Sequence, residues 1–131
     1  MVSASVNIII ALALIQYILF SIAVGRARGR YGIAAPATTG DPVCERYYRV
    51  QMNTLELLVT FVPAMYMFGY YINSVWAAGL GTVYLIGRVM YFFAYVADPA
   101  KRGPGYGLSA LPVMCLIVGG LYGAARVSLG F

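Results

Sequence analysis

Residues 44–72 read CERYYRVQMNTLELLVTFVPAMYMFGYYI. The run from Leu57 to Ile72 is apolar enough to sit in lipid, yet Glu56 stands just before it inside what otherwise reads as a membrane-spanning helix. Arg49, Asn53 and Glu56 are spaced i, i+4, i+7. That spacing places them on one helical face over about two turns, a span of ~10 Å. Arg46 extends this face toward water, and Gln51 points to a different neighbour. An ionised carboxylate near the bilayer centre costs at least ~2.5 kcal/mol. The polar face therefore needs a partner, either another helix or a charged ligand.

The rest of the chain supports the membrane setting. It has 131 residues, 62% of them hydrophobic and 10% charged, whereas a soluble domain carries about a quarter charged residues. At roughly 20 residues per crossing, this length predicts a single domain over 1–131, an all-α bundle of four transmembrane helices. The spans are expected near 2–24, 43–72, 74–97 and 106–129. Asp41-Pro42 and Asp98-Pro99 interrupt the chain as helix breaks and starts, and Asn73-Ser74 makes a tight connection. Met1 to Val24 lacks a basic start and is followed by Arg26, Arg28 and Arg30, so it reads as a retained span rather than a signal peptide. In the last span, Gly119-x-x-x-Gly123 permits close helix approach.

The net charge is +5. Its positive residues flank hydrophobic spans, which argues for membrane topology and against nucleic acid as a partner. Arg26, Arg28, Arg30, Lys101 and Arg102 fall after the first and third spans, which predicts that loops 25–42 and 98–105 face the cytoplasm. The chain has no His, and Cys44 and Cys115 are isolated, so no metal centre of the common His/Cys type is expected. Both cysteines read as small buried residues.

A second polar face lies on the third span, where Arg88, Tyr91 and Tyr95 are spaced i, i+3, i+7. One reading is a buried Arg88–Glu56 ion pair that only joins two helices. The cations are more numerous than such a pair can use. Arg28, Arg46, Arg49 and Arg102 exceed the acids near that end, so a cationic, tyrosine-lined pocket at the membrane boundary is also expected. Arginine forks bind carboxylates, Glu56 can bind an ammonium, and Tyr91 and Tyr95 can donate hydroxyls. Tyr31, Tyr47, Tyr70, Tyr71 and Tyr106 read instead as interfacial anchors.

These residues resemble a known pattern. Glu45-Arg-x-x-Arg49-x-Gln51-x-Asn53-x-x-Glu56, then Gly87-Arg88-x-x-Tyr91-x-x-x-Tyr95 and Lys101-Arg102, is similar to the family of membrane-associated proteins in eicosanoid and glutathione metabolism (MAPEG). The likeness is nearest to the branch of microsomal glutathione transferases and leukotriene synthase. It implies a homotrimer of four-helix subunits that binds glutathione as co-substrate between neighbours. By position, it implies that Arg49, Asn53, Glu56, Arg88, Tyr91, Tyr95 and Arg102 contact or support glutathione, and that Arg28 and Gln51 come from the adjacent subunit. It also implies that Arg102 activates the thiol; Tyr91, as a hydroxyl donor, is the second candidate on its own chemistry. Leu57 and Phe93 depart from the leukotriene synthase pattern, which has a tyrosine and a polar residue there.

The expected activity is conjugation of glutathione to a lipophilic electrophile, or reduction of a lipid hydroperoxide. Two other readings remain open on the residues alone: a non-catalytic lipid-binding scaffold of the same fold, and a small four-span proton-coupled exporter. The complete Arg49, Asn53, Glu56, Tyr91 and Arg102 set argues against the scaffold, and the lack of an acid in the first span argues against the exporter. A bacterial inner membrane is favoured over the endoplasmic reticulum.

Overall fold

The computed structural model describes residues 2–131. Four long helices account for most of the described chain: α1 (Ala4–Tyr31), α2 (Pro42–Tyr71), α3 (Ser74–Ala97) and α4 (Gly103–Leu129), with a single 3-10 turn at Pro99–Lys101 before α4. The polar punctuation seen in the sequence forms the caps. The Asp41 carboxylate accepts from the amides of Val43 and Cys44, both at 2.9 Å, and Pro42 opens α2 in the position where its missing N–H costs nothing. Asn73 Oδ1 accepts from Trp76 N at 3.0 Å and starts α3. Asp98 does the same for the 3-10 turn through Ala100 N.

Two boundaries differ from expectation. Helix α1 runs past Val24 to Tyr31, so Arg26, Arg28 and Arg30 ride on its last turns instead of lying in a loop. Alanine and arginine are good helix formers, and cations are favoured at a helix C-terminus. The helix ends where Gly32 takes up a left-handed conformation, φ 71°, and its N–H caps the Arg28 carbonyl. Helix α4 starts at Gly103, with Pro104 in its first turn, so Gly105 and Tyr106 are helical.

Three of the helices, α1, α3 and α4, are long and apolar enough to cross a membrane. The 30-residue α2 is long enough, at ~45 Å. Thr54, Glu56, Thr60, Pro63 and its tyrosines lower its hydropathy below that of the others. It nevertheless joins the far end of α1 to the start of α3 and packs against all three, so it traverses the bundle with them.

The core is assembled from all four helices, with Ile10 and Ala13 of α1, Phe61 and Met65 of α2, Tyr84 of α3 and Leu116 of α4 buried together. Phe61 and Tyr84 stack with ring centroids 3.9 Å apart. The glycine face of α4 lies on α2: a Cβ added at Gly123 would meet Tyr71 Cβ at 2.5 Å, and one at Gly119 would run into the Phe68 ring. Isoleucines and leucines on the outside of α1, such as Ile8, Leu12 and Ile15, are exposed as lipid-facing residues must be. Cys44 is buried as expected, but Cys115 is exposed on the outer side of α4, and both are free thiols.

Candidate functional site

The site begins with a close contact between α3 and α4. A Cβ at Gly87 would fall 2.6 Å from Ser109 N, and one at Gly105 would fall 2.5 Å from Tyr91 N. Glycine at these two positions lets the helix backbones touch. The contact brings Ser109 of α4 beside Arg88 of α3.

Arg88 is fully buried, with 0% of its surface exposed. Its Nε donates to Ser109 Oγ at 2.9 Å. Its Nη1 donates to Asn53 Oδ1 at 2.7 Å and to Thr54 Oγ1 at 3.3 Å on α2. The Ser109 hydroxyl in turn donates to the Gly105 carbonyl at 2.7 Å. The guanidinium carbon lies 4.3 Å from the centroid of the Tyr91 ring, a cation–π contact inside a desolvated environment. Arg88 therefore ties three helices together through neutral oxygens. Its Nη2 is buried and has no hydrogen-bond partner among the described residues.

This geometry rejects the simple ion-pair reading. Arg88 does not pair with Glu56. Glu56 is exposed, as is Arg49 two turns earlier on the same helix. Asn53, between them, is half-buried and is the residue through which the inner cluster meets the outer face.

Tyr91 is almost wholly buried. Its ring centroid is 5.4 Å from that of Tyr95 and 6.3 Å from that of Tyr106. Its ring takes the Arg88 guanidinium on its face, and Arg49 and Arg102 stand exposed toward the same end of α2 and the start of α4. The structure thus gathers Arg49, Asn53, Arg88, Tyr91, Tyr95 and Arg102 around one end of the α2, α3 and α4 helices. Arg102 is exposed, and its Nη1 donates to the Pro99 carbonyl at 2.9 Å, which orients the side chain without neutralising it. Tyr106, read from sequence as an interfacial anchor, belongs to this aromatic group.

Other predicted residues face elsewhere. Gln51 turns to α1, where Nε2 donates to the Tyr17 hydroxyl at 3.4 Å. Arg28 donates to the Ala37 carbonyl in the α1–α2 connection. Arg46 reaches the last carbonyls of α3, Val96 at 3.1 Å and Ala97 at 3.3 Å, which have no partner within the helix. It clamps α2 to α3 and leaves the pocket to others.

Sequence reasoning missed Thr54, Ser109 and Gly105. The two hydroxyls are unremarkable residues in apolar runs, and Gly105 reads as a loop glycine. The available signal was Arg88 itself, because a buried guanidinium with five donors demands acceptors on every packed helix.

A helical membrane protein with a buried arginine network beneath an open cationic face is the class that fold and site define. The match to known proteins narrows it. The MAPEG family model matches residues 6–122, and the chain belongs to that family. It is 46% identical over 87% of its length to an uncharacterised protein, sll1147, of Synechocystis, covering 83% of that protein. It is 39% identical to human microsomal glutathione S-transferase 2, covering 86% of this chain and 74% of the human one. With guinea-pig (Cavia porcellus) leukotriene C4 synthase the identity is 36%, over 84% of this chain and 79% of the other.

Proposed function

We propose that this chain is a glutathione transferase embedded in the membrane, adding the glutathione thiolate to lipophilic electrophiles. The supporting observation is the outward setting of Arg49 and Glu56 on either side of an Asn53 held by Arg88. These charges are turned away from one another's neutralisation and toward a guest. Glutathione is an anionic zwitterion with two carboxylates and one ammonium. Extended, a tripeptide reaches ~10 Å, which matches the ~10 Å between positions i and i+7 of a helix. Arg49 takes a carboxylate through its planar fork, and Glu56 takes the ammonium. Relatives named as a glutathione transferase and as leukotriene C4 synthase support the same substrate.

In this reading Arg102 stabilises the thiolate. A free thiol of the cysteine type has a pKa of about 8.5, so only a few per cent is ionised at neutral pH. A guanidinium beside the sulfur favours the anion. The thiol proton leaves to water, and the thiolate attacks the electrophilic carbon. The new C–S bond forms as the bond to the leaving group breaks, or as a strained ring opens. With a lipid hydroperoxide the thiolate attacks the terminal oxygen and the O–O bond breaks. The lipid departs as an alcohol, and a second glutathione completes the disulfide. Proximity supplies much of the acceleration. Tyr91, a hydroxyl donor whose ring lies against the Arg88 guanidinium, is the second candidate for thiol activation.

The assembly in this reading is a homotrimer. Arg28 and Gln51 hydrogen-bond to the Ala37 carbonyl and the Tyr17 hydroxyl on the α1 side of the subunit, and in this reading they complete a neighbour's site. The cytoplasmic boundary of a bacterial inner membrane is the proposed setting. Stopped-flow mixing with glutathione tests the chemistry. Wild-type protein is expected to generate thiolate absorbance near 240 nm (roughly 10⁻¹ of the bound thiol or more at neutral pH), and Arg102→Ala to abolish that signal and slow conjugation of 1-chloro-2,4-dinitrobenzene. An unchanged thiolate signal in Arg102→Ala, with loss in Tyr91→Phe, assigns the role to Tyr91. Loss in neither variant overturns the activation scheme.

A further inference from the structure

A groove opens on the α1 side of the bundle, where Phe92, the neighbour of Tyr91 on α3, forms part of its wall. It has a volume of about 550 Å³ and lies at the basic end of α1, with Leu19, Ile22 and Ala23 on its apolar side, Phe92 across from them, and Arg26 and Arg30 at its mouth. Tyr31 and Tyr47 add two hydroxyls at the same end. A second groove of about 390 Å³ continues along the α1–α3 seam. The two share Leu19, and the second is lined almost wholly by apolar side chains such as Leu12, Ile15 and Val89. Together they make one furrow, cationic at the membrane boundary and apolar toward the bilayer centre.

The charges at the mouth have a particular character. Arg26 and Arg30 are both exposed and lie i, i+4 on one helical face, where like charges repel. Arg30 rests against the Tyr31 ring at 5.5 Å, whereas Arg28, on a different face, is tied to the Ala37 carbonyl. Two adjacent cations above an apolar furrow complement a phosphate with an acyl chain below it. Basic side chains at the cytoplasmic surface attract anionic lipid.

We propose that the α1–α3 furrow is a binding site for one anionic phospholipid. Its phosphate sits between Arg26 and Arg30, and one acyl chain runs past Leu19 along the seam to Val89. Neither arginine takes part in the glutathione site described above, so this inference stands apart from the transferase reading.

The test uses the full chain in nanodiscs of equal phosphatidylcholine and phosphatidylglycerol, followed by detergent extraction and native mass spectrometry of retained lipid. Wild-type protein is expected to retain phosphatidylglycerol at least fivefold over phosphatidylcholine. Arg26→Gln combined with Arg30→Gln is expected to bring that ratio to one. Ala23→Trp, which fills the groove and keeps both charges, is expected to remove retained lipid of either kind. Arg126→Gln, an exposed arginine at the opposite end of the bundle, is expected to change nothing. A wild-type ratio of one overturns the proposal. So does full phosphatidylglycerol preference in Ala23→Trp, which would mark diffuse attraction to a basic rim. A photo-crosslinker at Ile22 that captures a second copy of the chain rather than lipid also overturns it.

Discussion

Arg88 and Glu56 lie within a turn of each other along the bundle, since Arg88 reaches Asn53 and Thr54 on the helix that carries Glu56. Both stand in apolar sequence, and both are ionisable. One is closed inside the protein against Ser109, Asn53, Thr54 and the Tyr91 ring. The other is open on the outer face of α2. The difference teaches that intramembrane charge serves two ends here. The interior cation meets neutral oxygens and an aromatic face, so it fixes three helices in register without requiring a counter-ion. The exterior acid is exposed on α2, which leaves it open to the ammonium of the guest proposed above.

This contrast can be broken most sharply at Arg88. Arg88→Leu removes the donors for three oxygens and leaves them buried in apolar surroundings. A loss of about 3–5 kcal/mol of stability is expected, in line with breaking a buried charged network by deleting one member. Thermal unfolding in detergent checks it. An unchanged melting temperature would mean the network is ornamental. Next is Gly105→Ala, whose new Cβ meets the backbone of Tyr91 at 2.5 Å. Backbone cannot swing aside as a side chain can, so a cost of about 1–3 kcal/mol is expected. The same change at Gly119 meets only the Phe68 ring and should be milder. The melting temperatures of the two variants order them, and reversal of that order would contradict the α3–α4 contact as the tighter one.

The opposite face sharpens the comparison by what it leaves intact. Glu56→Gln is expected to shift stability by less than about 0.5 kcal/mol, as an exposed substitution should. It is expected to weaken glutathione binding about tenfold, or ~1.4 kcal/mol. Melting and ligand titration on one preparation read both. A large stability loss with no change in binding would make Glu56 a structural residue like Arg88.

Much of this was legible in the residues. Asp41-Pro42, Asn73-Ser74 and Asp98-Pro99 mark the starts of α2, α3 and the 3-10 turn because a short polar side chain can accept backbone amides there. The composition declares a membrane bundle. The spacing of Arg88 and Tyr91 places them together, and the guanidinium does lie over the ring. Other features were hidden for physical reasons. The Gly25–Tyr31 stretch looks like a loop because glycine and charge cluster there, but tertiary support and a left-handed Gly32 carry the helix through it. An Arg88–Glu56 pair was a fair expectation from spacing, since sequence gives depth along a helix more readily than azimuth between helices. Thr54 and Ser109 could not be distinguished from other small residues until two backbones were seen to touch at Gly87 and Gly105.

The central claim is that the outer charges of α2 await a zwitterionic tripeptide. Calorimetric titration of glutathione into the purified oligomer tests it most directly, with Arg49→Gln as the companion variant. A saturable heat in the wild type, and a binding isotherm shifted at least tenfold to higher concentration in Arg49→Gln (~1.4 kcal/mol), is the predicted result. No heat at millimolar glutathione in the wild type, or identical isotherms for both proteins, would contradict it.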